Sequence, residues 1–375
     1  MKTEMQTCTH CVMDESADDI TFDSLGVCNF CSDFVKSGFS EKQAKNLSAQ
    51  MDELLETVRK DGVGKSYDCI VGLSGGVDSS FALHLAVKHG LRPLAVHLDN
   101  GWNSELAVFN INSLISKLDV DLYTHVIDWQ ENRDLQLSMF KSHVIDIELL
   151  MDNAMLALNH KMAAKYKIKY ILSGSNQATE GIRMPSGWNH FKFDAKNIRS
   201  IHKEFGTHPI KTHPLMGTVD YLRYKYINKI QWVSFLDYVN YNKSESLKLL
   251  VDLYGYKPYP YKHYESVFTR FYQGYILPHK FKIDKRRVHL STLIVNGHIS
   301  REEALNDLLH PPYDPMDQTR DEAFVLKKLG LTKEQFEEYI SLPGKQHLDY
   351  PSELQRWNTW LRMWSKFKKR KHETG

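Results

Sequence analysis

The chain has 375 residues, of which 42% are hydrophobic, and a formal net charge of +2 at pH 7. This length supports one large core or several smaller domains, and the small net charge argues against a nucleic-acid partner. No run of about 18 apolar residues occurs, and MKTEMQTCTH at the start lacks the apolar segment of a secretory signal, so we expect a cytoplasmic protein.

The first predicted element is a metal-binding module in residues 1–40. Cys8 and Cys11 form one C-x-x-C pair, and Cys28 and Cys31 form another. Two such pairs at short separation are typical of zinc, and four thiolates close a tetrahedral structural site. An iron–sulfur cluster and two unconnected thiol pairs are the alternatives. The segment has few apolar residues, so we expect the metal to stabilise its fold.

A helix and a linker are predicted for residues 41–66. Apolar residues recur there at spacings of three and four, as in an amphipathic helix. They are Leu47, Met51, Leu54, Leu55 and Val58. The following GVGKS resembles the end of a Walker A loop, but the glycine that such a loop requires falls on Arg59, and the stretch precedes a strand. We therefore interpret it as a linker.

Strand and helix patterns then alternate along the chain. The predicted strands cover 67–73, 92–99, 121–128 and 168–176, and the predicted helices cover 77–90, 104–118, 131–142 and 148–166. This alternation predicts an α/β fold with a doubly wound parallel sheet in residues 67–215. We expect a mainly helical region for substrate or partner binding in 216–375. Ligands of such sheets bind beyond the carboxyl ends of the strands, where SGGVDS, DNGW and SGSN fall.

The loop inside VGLSGGVDSS, residues 71–80, has the character of an anion site. Its glycines permit backbone angles that other residues avoid, and Ser74, Ser79 and Ser80 supply hydroxyl groups. The next helix directs its free N–H groups and the positive end of its dipole at the loop. The pattern therefore predicts a phosphate site.

SGGVDSS after the first strand resembles the PP-loop of the ATP pyrophosphatases, which cleave ATP between the α and β phosphates and transfer AMP to a carbonyl oxygen. The resemblance implies bound ATP and Mg²⁺, with Asp78 as a magnesium ligand and with Ser74 and Asp78 in catalytic roles. It implies that the pyrophosphate contacts Ser74, Gly75, Gly76, Val77, Asp78, Ser79 and Ser80. It places adenosine against Gly72, Leu73, His97, Asp99, Gly174 and Ser175.

The order of the motifs narrows the resemblance. The four-cysteine module, SGGVDSS, HLDNGWNS, SGSNQATEGI and the block at 262–305 together resemble the N-acetyl sugar amidotransferases of the WbpG and PseA family. The resemblance covers roughly residues 5–310. It implies an ATP-dependent ligase that converts the acetamido group of a nucleotide-linked N-acetyl sugar into an acetamidino group and releases AMP and pyrophosphate. Such enzymes act in lipopolysaccharide O-antigen or flagellar-glycan synthesis.

No glutaminase is apparent in the chain. A glutaminase with an N-terminal nucleophile would have cysteine at position 2, where Lys2 stands, and beyond the four paired cysteines only Cys69 remains, within a predicted strand. The family resemblance implies that ammonia comes from a separate glutaminase with a cyclase-like companion, both related to the histidine-pathway pair.

Further site candidates lie in the loops and in a basic run. Residues expected near the sugar are Asn100, Trp102, Asn176, Glu180, Arg183, His263 and Glu265. Residues 181–194 form either a lid over the sugar or an ordinary loop. In HKFKIDKRR, Lys280, Arg286 and Arg287 are expected to bind phosphate or substrate, because an arginine presents a fork of donors to phosphate. A solvated basic surface is the alternative.

The carboxyl-terminal segment reads as an amphipathic helix. One face carries Leu354, Trp357, Trp360, Leu361, Trp364 and Phe367, and the end is basic, with Lys366, Lys368, Lys369, Arg370 and Lys371. It could contact a membrane surface, dock the ammonia-supplying partner, or pack on its own core.

Two other functions remain open. A PP-loop tRNA-thiolating enzyme can also carry a four-cysteine module, but it needs reactive cysteines beyond the zinc ligands, and only Cys69 is left. A non-catalytic scaffold with a retained ATP-binding fold is the third possibility.

Overall fold

The computed structural model describes residues 5–37, 46–260, 264–312 and 314–373, with side chains as far as residue 365. The strands are β1 (Cys69–Gly72), β2 (Pro93–Asp99), β3 (Leu122–Val126), β4 (Tyr170–Ser173) and β5 (Gln231–Ser234). The helices are α1 (Asn29–Lys36), α2 (Leu47–Gly62), α3 (Val77–Lys88), α4 (Glu105–Leu118), α5 (Trp129–Ser142), α6 (Leu149–Lys165), α7 (Gln177–Glu180), α8 (Ala195–Phe205), α9 (Thr218–Leu222), α10 (Lys243–Tyr254), α11 (Val267–Phe271), α12 (Arg286–Val295), α13 (Arg301–Leu309), α14 (Pro315–Leu329), α15 (Lys333–Ser341) and α16 (Leu354–Glu373). π-Helical segments, Arg223–Ile227 and Tyr272–Phe281, continue α9 and α11.

The strands form one parallel sheet in the order β3-β2-β1-β4-β5. The chain therefore runs outward from β1 to β3 and then returns to the other side of β1 with β4. This reversal creates a crevice at the carboxyl ends of β1 and β4, which is the position where such sheets bind ligands. The predicted doubly wound sheet is confirmed.

The fifth strand was not predicted, and it lies beyond residue 215. Its four residues, QWVS, are too few to carry an alternating pattern that predicts a strand. Because β5 pairs with β4 and α10 packs on α3, the α/β domain continues past the predicted boundary. The helix predicted within residues 41–66 is observed from Leu47 to Gly62, and residues 41–45 lie outside the described part.

Both faces of the sheet are covered by helices. Since neighbouring residues of a strand point to opposite faces, Ile70 and Val71 enter different cores. Ile70 packs with Ile171 and with Leu158 of α6, whereas Val71 packs with Leu83 of α3 and with side chains of α2, α4 and α10. Burial of each such side chain stabilises the fold by about 1.5–3 kcal/mol. The result is a rigid crevice between β1 and β4.

The four-cysteine segment packs against the carboxyl-terminal helices. Val12 shares a small core with Leu290 and Ala304, and the Arg301 guanidinium donates to the carbonyl groups of Cys8 and Cys11. The module is therefore part of one structure with α12 and α13. Among the described residues, no helix combines the length and the apolar character needed to cross a bilayer.

Candidate active site

The loop between β1 and α3 makes a tight turn that requires glycine. Gly75 has φ +88°, and a Cβ atom there would lie 3.1 Å from the Cβ of Ala107. The loop after β4 lies against the first turn of α3. A Cβ atom on Gly174 would lie 2.6 Å from the carbonyl carbon of Asp78, so this position also requires glycine. The two loops therefore form the wall of one crevice, with the start of α3 at its base.

Hydrogen bonds fix the shape of this loop. The hydroxyl oxygens of Ser74 and Ser79 lie 3.0 Å apart, and Ser79 also accepts from the Ser74 backbone N–H at 3.2 Å. From the opposite side, Tyr256 and Tyr259 donate their hydroxyl hydrogens to the Gly75 carbonyl at 2.6 and 2.8 Å. The serine hydroxyls and the free N–H groups at the start of α3 thus form a preorganised anion cradle.

Asp78 stands in the first turn of α3 with two partners that no motif indicated. Tyr241 donates its hydroxyl hydrogen to one carboxylate oxygen, and Lys243 Nζ lies 3.5 Å from the other. Burial, with the negative charge of Asp78, raises the pKa of Tyr241, so this hydroxyl remains a donor. The pair orients the Asp78 carboxylate and places an ammonium group beside the phosphate loop.

A single cavity of about 620 Å³ joins these parts. Many of the residues proposed from the sequence line it: Gly72, Leu73, Ser74, Gly76, Val77, Asp78, Ser79, His97, Asn100, Gly174, Ser175, Glu180 and Glu265. His97 is held by the Leu73 carbonyl at 2.8 Å and by the Asn103 amide at 3.0 Å. The structure therefore brings these residues together, and their individual roles stay predictions.

The cavity has a polar end and an apolar end. The phosphate loop and Lys243 lie at the polar end, and the apolar end is lined by Val96, Leu98, Met155, Leu158, Ile171 and Trp232. One polar side chain, Asn159, is buried among the apolar ones. Its Nδ2 donates to the Met155 carbonyl at 2.8 Å, which fixes the amide orientation, and its Oδ1 is buried with no partner among the described residues. Asn159 therefore places an unpaired acceptor in the wall of the cavity.

The predicted basic ligands lie elsewhere. Arg286 pairs with Asp284 at 2.8 Å, and Arg287 pairs with Asp14 of the four-cysteine segment at 3.0 Å. Lys280 donates to the carbonyl groups that end α15, at Tyr339 and Leu342, at 2.5 Å each. None of the three lines the cavity, because nearby carboxylates and carbonyls occupy their donors. Lys280 and Arg286 hold carboxyl-terminal elements together, and Arg287 joins α12 to the four-cysteine segment.

Two other residues proposed for the site make structural contacts and do not line the cavity. Trp102 is buried, donates to Gln136 and packs on Trp129 and Phe268. Arg183 pairs with Asp19 at 2.7 Å, so its loop lies against the four-cysteine segment instead of the cavity.

The remaining proposed residues support neighbouring turns. Asn176 caps α7, and Asp99 accepts from the Gly101 N–H. Gly75 forms the turn behind the cradle, and Ser80 is fully buried within α3. His263 lies outside the described residues.

The four cysteines form the predicted metal site. Their sulfur atoms all lie within 4.8 Å of one another, and those of Cys11 and Cys28 are 3.7 Å apart. Zinc–sulfur bonds of about 2.3 Å in a tetrahedron place sulfurs about 3.8 Å apart, so the cluster fits zinc. All four side chains are buried, and the Cys28 N–H donates to Cys8 Sγ at 3.2 Å. The site leaves no open position and is therefore structural.

Comparison with known proteins gives a family match for the carboxyl-terminal part and several similar solved structures. The model of a family described as "LPS biosynthesis protein WbpG-like, C-terminal domain" matches residues 265–364, and no curated protein matches the sequence. Similar solved structures include the NMN synthetase from Francisella tularensis, with 18% identity, a TM-score of 0.28, and coverage of 58% of this chain and 99% of that chain. The NH3-dependent NAD synthetase from Campylobacter jejuni has 14% identity, a TM-score of 0.30, and coverage of 55% and 84%. A 4-thiouridine synthetase–RNA complex with bound ATP has 20% identity, a TM-score of 0.25, and coverage of 46% and 42%.

The matched segment contributes directly to the cavity. Glu265, Ser266, Thr269 and His289 lie within it and line the same space as the phosphate loop. Residues 265–364 match the C-terminal domain family of the WbpG-like LPS biosynthesis proteins, and this segment lines the same cavity as the glycine- and serine-rich loop that follows β1 of the parallel sheet.

Proposed function

We propose that the enzyme adenylylates the acetamido oxygen of a nucleotide-linked N-acetyl sugar and replaces it with ammonia, giving an acetamidino sugar, AMP and pyrophosphate. The observation that carries this proposal is the shared cavity. A Cβ atom on Gly76 would lie 3.7 Å from a carboxylate oxygen of Glu265, so the carboxyl-terminal domain reaches the phosphate loop. An acceptor bound by Glu265, Thr269 and His289 would face the α phosphate of ATP.

The reaction needs activation because an acetamide carbon is a poor electrophile. In the proposed first step, the acetamide oxygen attacks the α phosphorus and the bond to the β phosphate breaks, which releases pyrophosphate. Ammonia then adds to the imidate carbon, and AMP leaves with the former carbonyl oxygen. Ser74, Ser79 and the free N–H groups of α3 stabilise the pyrophosphate charge, so the enzyme acts by positioning and electrostatics.

A magnesium ion is the expected companion of ATP. Asp78 offers a carboxylate oxygen at the cavity wall, and Mg²⁺ commonly uses one or two carboxylates together with phosphate oxygens and water. Bound there, the ion would neutralise phosphate charge. Lys243, 3.5 Å from Asp78, supplies a second cation from the protein itself. The whole proposal is tested by an assay for AMP release. AMP should form only when both the sugar and ammonium are present.

Ammonia is expected from outside the chain. Of the five cysteines in the sequence, four form the metal cluster and the fifth, Cys69, is fully buried in β1, where burial raises the pKa of its thiol. Cys69 therefore suits neither a glutaminase nucleophile nor thiolation chemistry. We propose that a separate glutaminase with a cyclase-like companion supplies ammonia.

The isolated enzyme should accordingly use ammonium salts but not glutamine. Sugar-dependent AMP release is expected to rise with ammonium concentration and to stay at the background level with glutamine. Glutamate formation, measured in the same reactions, should be absent. Glutamate released by the purified chain alone would show that a glutaminase site is present and would refute the external source.

The buried acceptor at the apolar end predicts a preference for adenine. We propose that Asn159 Oδ1 accepts a hydrogen bond from the exocyclic amine of the base, which inosine triphosphate lacks. An unsatisfied buried acceptor costs about 1–3 kcal/mol, so we expect kcat/KM for ATP to exceed that for inosine triphosphate by roughly 5- to 150-fold. Asn159→Leu should reduce that ratio to within about threefold.

Met155→Leu is the matched control, because Met155 lines the same end and offers no polar side-chain group to the base. It should keep the wild-type ratio. A ratio that is unchanged in Asn159→Leu would remove this residue from base recognition without affecting the proposed reaction.

A further inference from the structure

The last helix is fixed firmly at its start. The Glu353 N–H donates to Asp194 at 2.9 Å, and the Glu353 carboxylate accepts from the Thr218 N–H at 2.7 Å. One turn later, Trp357 packs on Phe191 with ring centres 5.1 Å apart. The beginning of α16 is therefore part of the folded protein, and its direction is set.

Beyond Trp357 the helix leaves large apolar side chains uncovered. Trp360 and Trp364 stack on each other at 5.9 Å, and Tyr226 packs against Trp364 at 5.6 Å. The exposed members of this strip are Tyr226 (41%), Ile227 (75%), Leu361 (42%), Met363 (56%) and Trp364 (45%). Grouped exposed apolar side chains of this size mark an interaction surface.

The charge of the helix is strongly one-sided. It contains seven basic residues and one acidic residue, so its formal charge is +6, whereas the whole chain has +2. The basic residues are Arg356, Arg362, Lys366, Lys368, Lys369, Arg370 and Lys371. In the segment that contacts α16, Arg223, Lys225 and Lys229 are also exposed, and no carboxylate of the described residues pairs with them. The rest of the chain is net negative, so the excess positive charge of the protein is concentrated in α16.

We infer that this strip, with the basic residues of α16, binds the surface of an anionic phospholipid bilayer. Exposed tryptophans and a lysine-rich helix suit the boundary between lipid headgroups and acyl chains. Four of the seven basic residues are lysines, which are depleted from the cores of protein interfaces and remain hydrated among headgroups. The helix lies in the plane of the bilayer surface without crossing it. This attachment goes beyond the proposed reaction and does not depend on it.

Vesicle binding by the full chain tests this inference. Sedimentation with vesicles of phosphatidylglycerol and phosphatidylcholine should give at least about tenfold stronger binding than with phosphatidylcholine alone. Added salt should weaken the binding, because lipid charge is screened. Equal binding to both compositions, or none to either, would overturn the inference.

Substitutions then locate the contact. Met363→Ser with Trp364→Ser, and separately Lys368→Glu with Lys369→Glu, should each lower vesicle binding about tenfold or more. Leu309→Ser and Lys333→Glu alter an exposed apolar and an exposed basic residue elsewhere and should leave binding unchanged. Thermal unfolding identifies any variant that fails to fold. Full vesicle binding by both double variants, or binding of a purified glutaminase in place of vesicles, would assign the surface to another partner.

Discussion

Asp78→Ala is expected to abolish AMP release while the protein stays folded. The carboxylate lies in the first turn of α3, at the wall of the cavity, with Tyr241 and Lys243 on its two oxygens. Its loss removes the proposed magnesium ligand and the partner that holds Lys243 beside the phosphate loop. Removal of one preorganised charge-stabilising group commonly costs about 10²–10³ in rate, and we expect at least this loss.

Glu105→Ala is the matched control for this substitution. Glu105 also stands in the first turn of a helix that follows a strand, but it is exposed and lies outside the cavity. Each substitution removes a favourable interaction with a helix dipole, worth about 0.3–1 kcal/mol. Asp78→Ala also leaves the Tyr241 hydroxyl without its acceptor, which costs about 1–3 kcal/mol, so both variants should stay folded and Asp78→Ala should be the less stable. Sugar-dependent AMP release by folded Asp78→Ala at the Glu105→Ala rate would reject the assigned role.

Removal of zinc is expected to unfold the four-cysteine segment. Structural zinc contributes about 10–16 kcal/mol of binding free energy in small modules, which exceeds the stability of most domains. Without it, the Val12 contact with α12 and the Arg301 contacts with Cys8 and Cys11 should be lost. Elemental analysis should give one zinc per chain, and chelation should lower the unfolding temperature.

The cysteines provide an internal comparison. Cys28→Ser removes one metal ligand and should reduce bound zinc and stability together, whereas Cys69→Ala should retain zinc, since Cys69 lies in β1 away from the cluster. Because a closed site cannot activate a ligand, activity should fall only in step with stability. Freshly purified protein that contains iron, or no metal, would refute the zinc assignment.

The parts of the site that could be predicted are local in sequence. The glycines and serines after β1 lie within ten residues, and their backbone requirements are independent of the rest of the chain. The same holds for the two C-x-x-C pairs, whose spacing already suits one ion. Strand–helix alternation gave the sheet, apart from β5, whose four residues carry too short a pattern.

The parts that could not be predicted depend on distant contacts. Tyr241 and Lys243 reach Asp78 across more than 160 positions, and only the packing of α10 on α3 brings them there. For Arg286 and Arg287, by contrast, the sequence suggested a contact with the ligand that the structure does not support. A basic run indicates charge but not its direction, and here Asp284 and Asp14 draw both guanidinium groups away from the cavity. Asn159 belongs to a helix with no motif, and the role proposed for it depends on its unpaired oxygen, which only the structure shows.

The most direct test of the proposed reaction is mass spectrometry of the sugar product. Nucleotide-linked N-acetyl sugars are incubated with enzyme, ATP, magnesium and ¹⁵N-labelled ammonium. We predict that one sugar exchanges its acetamido oxygen for a labelled NH group and that one AMP appears for each molecule converted. AMP formation with every sugar unchanged, or labelled product formed without ATP, would contradict the proposed amidotransferase.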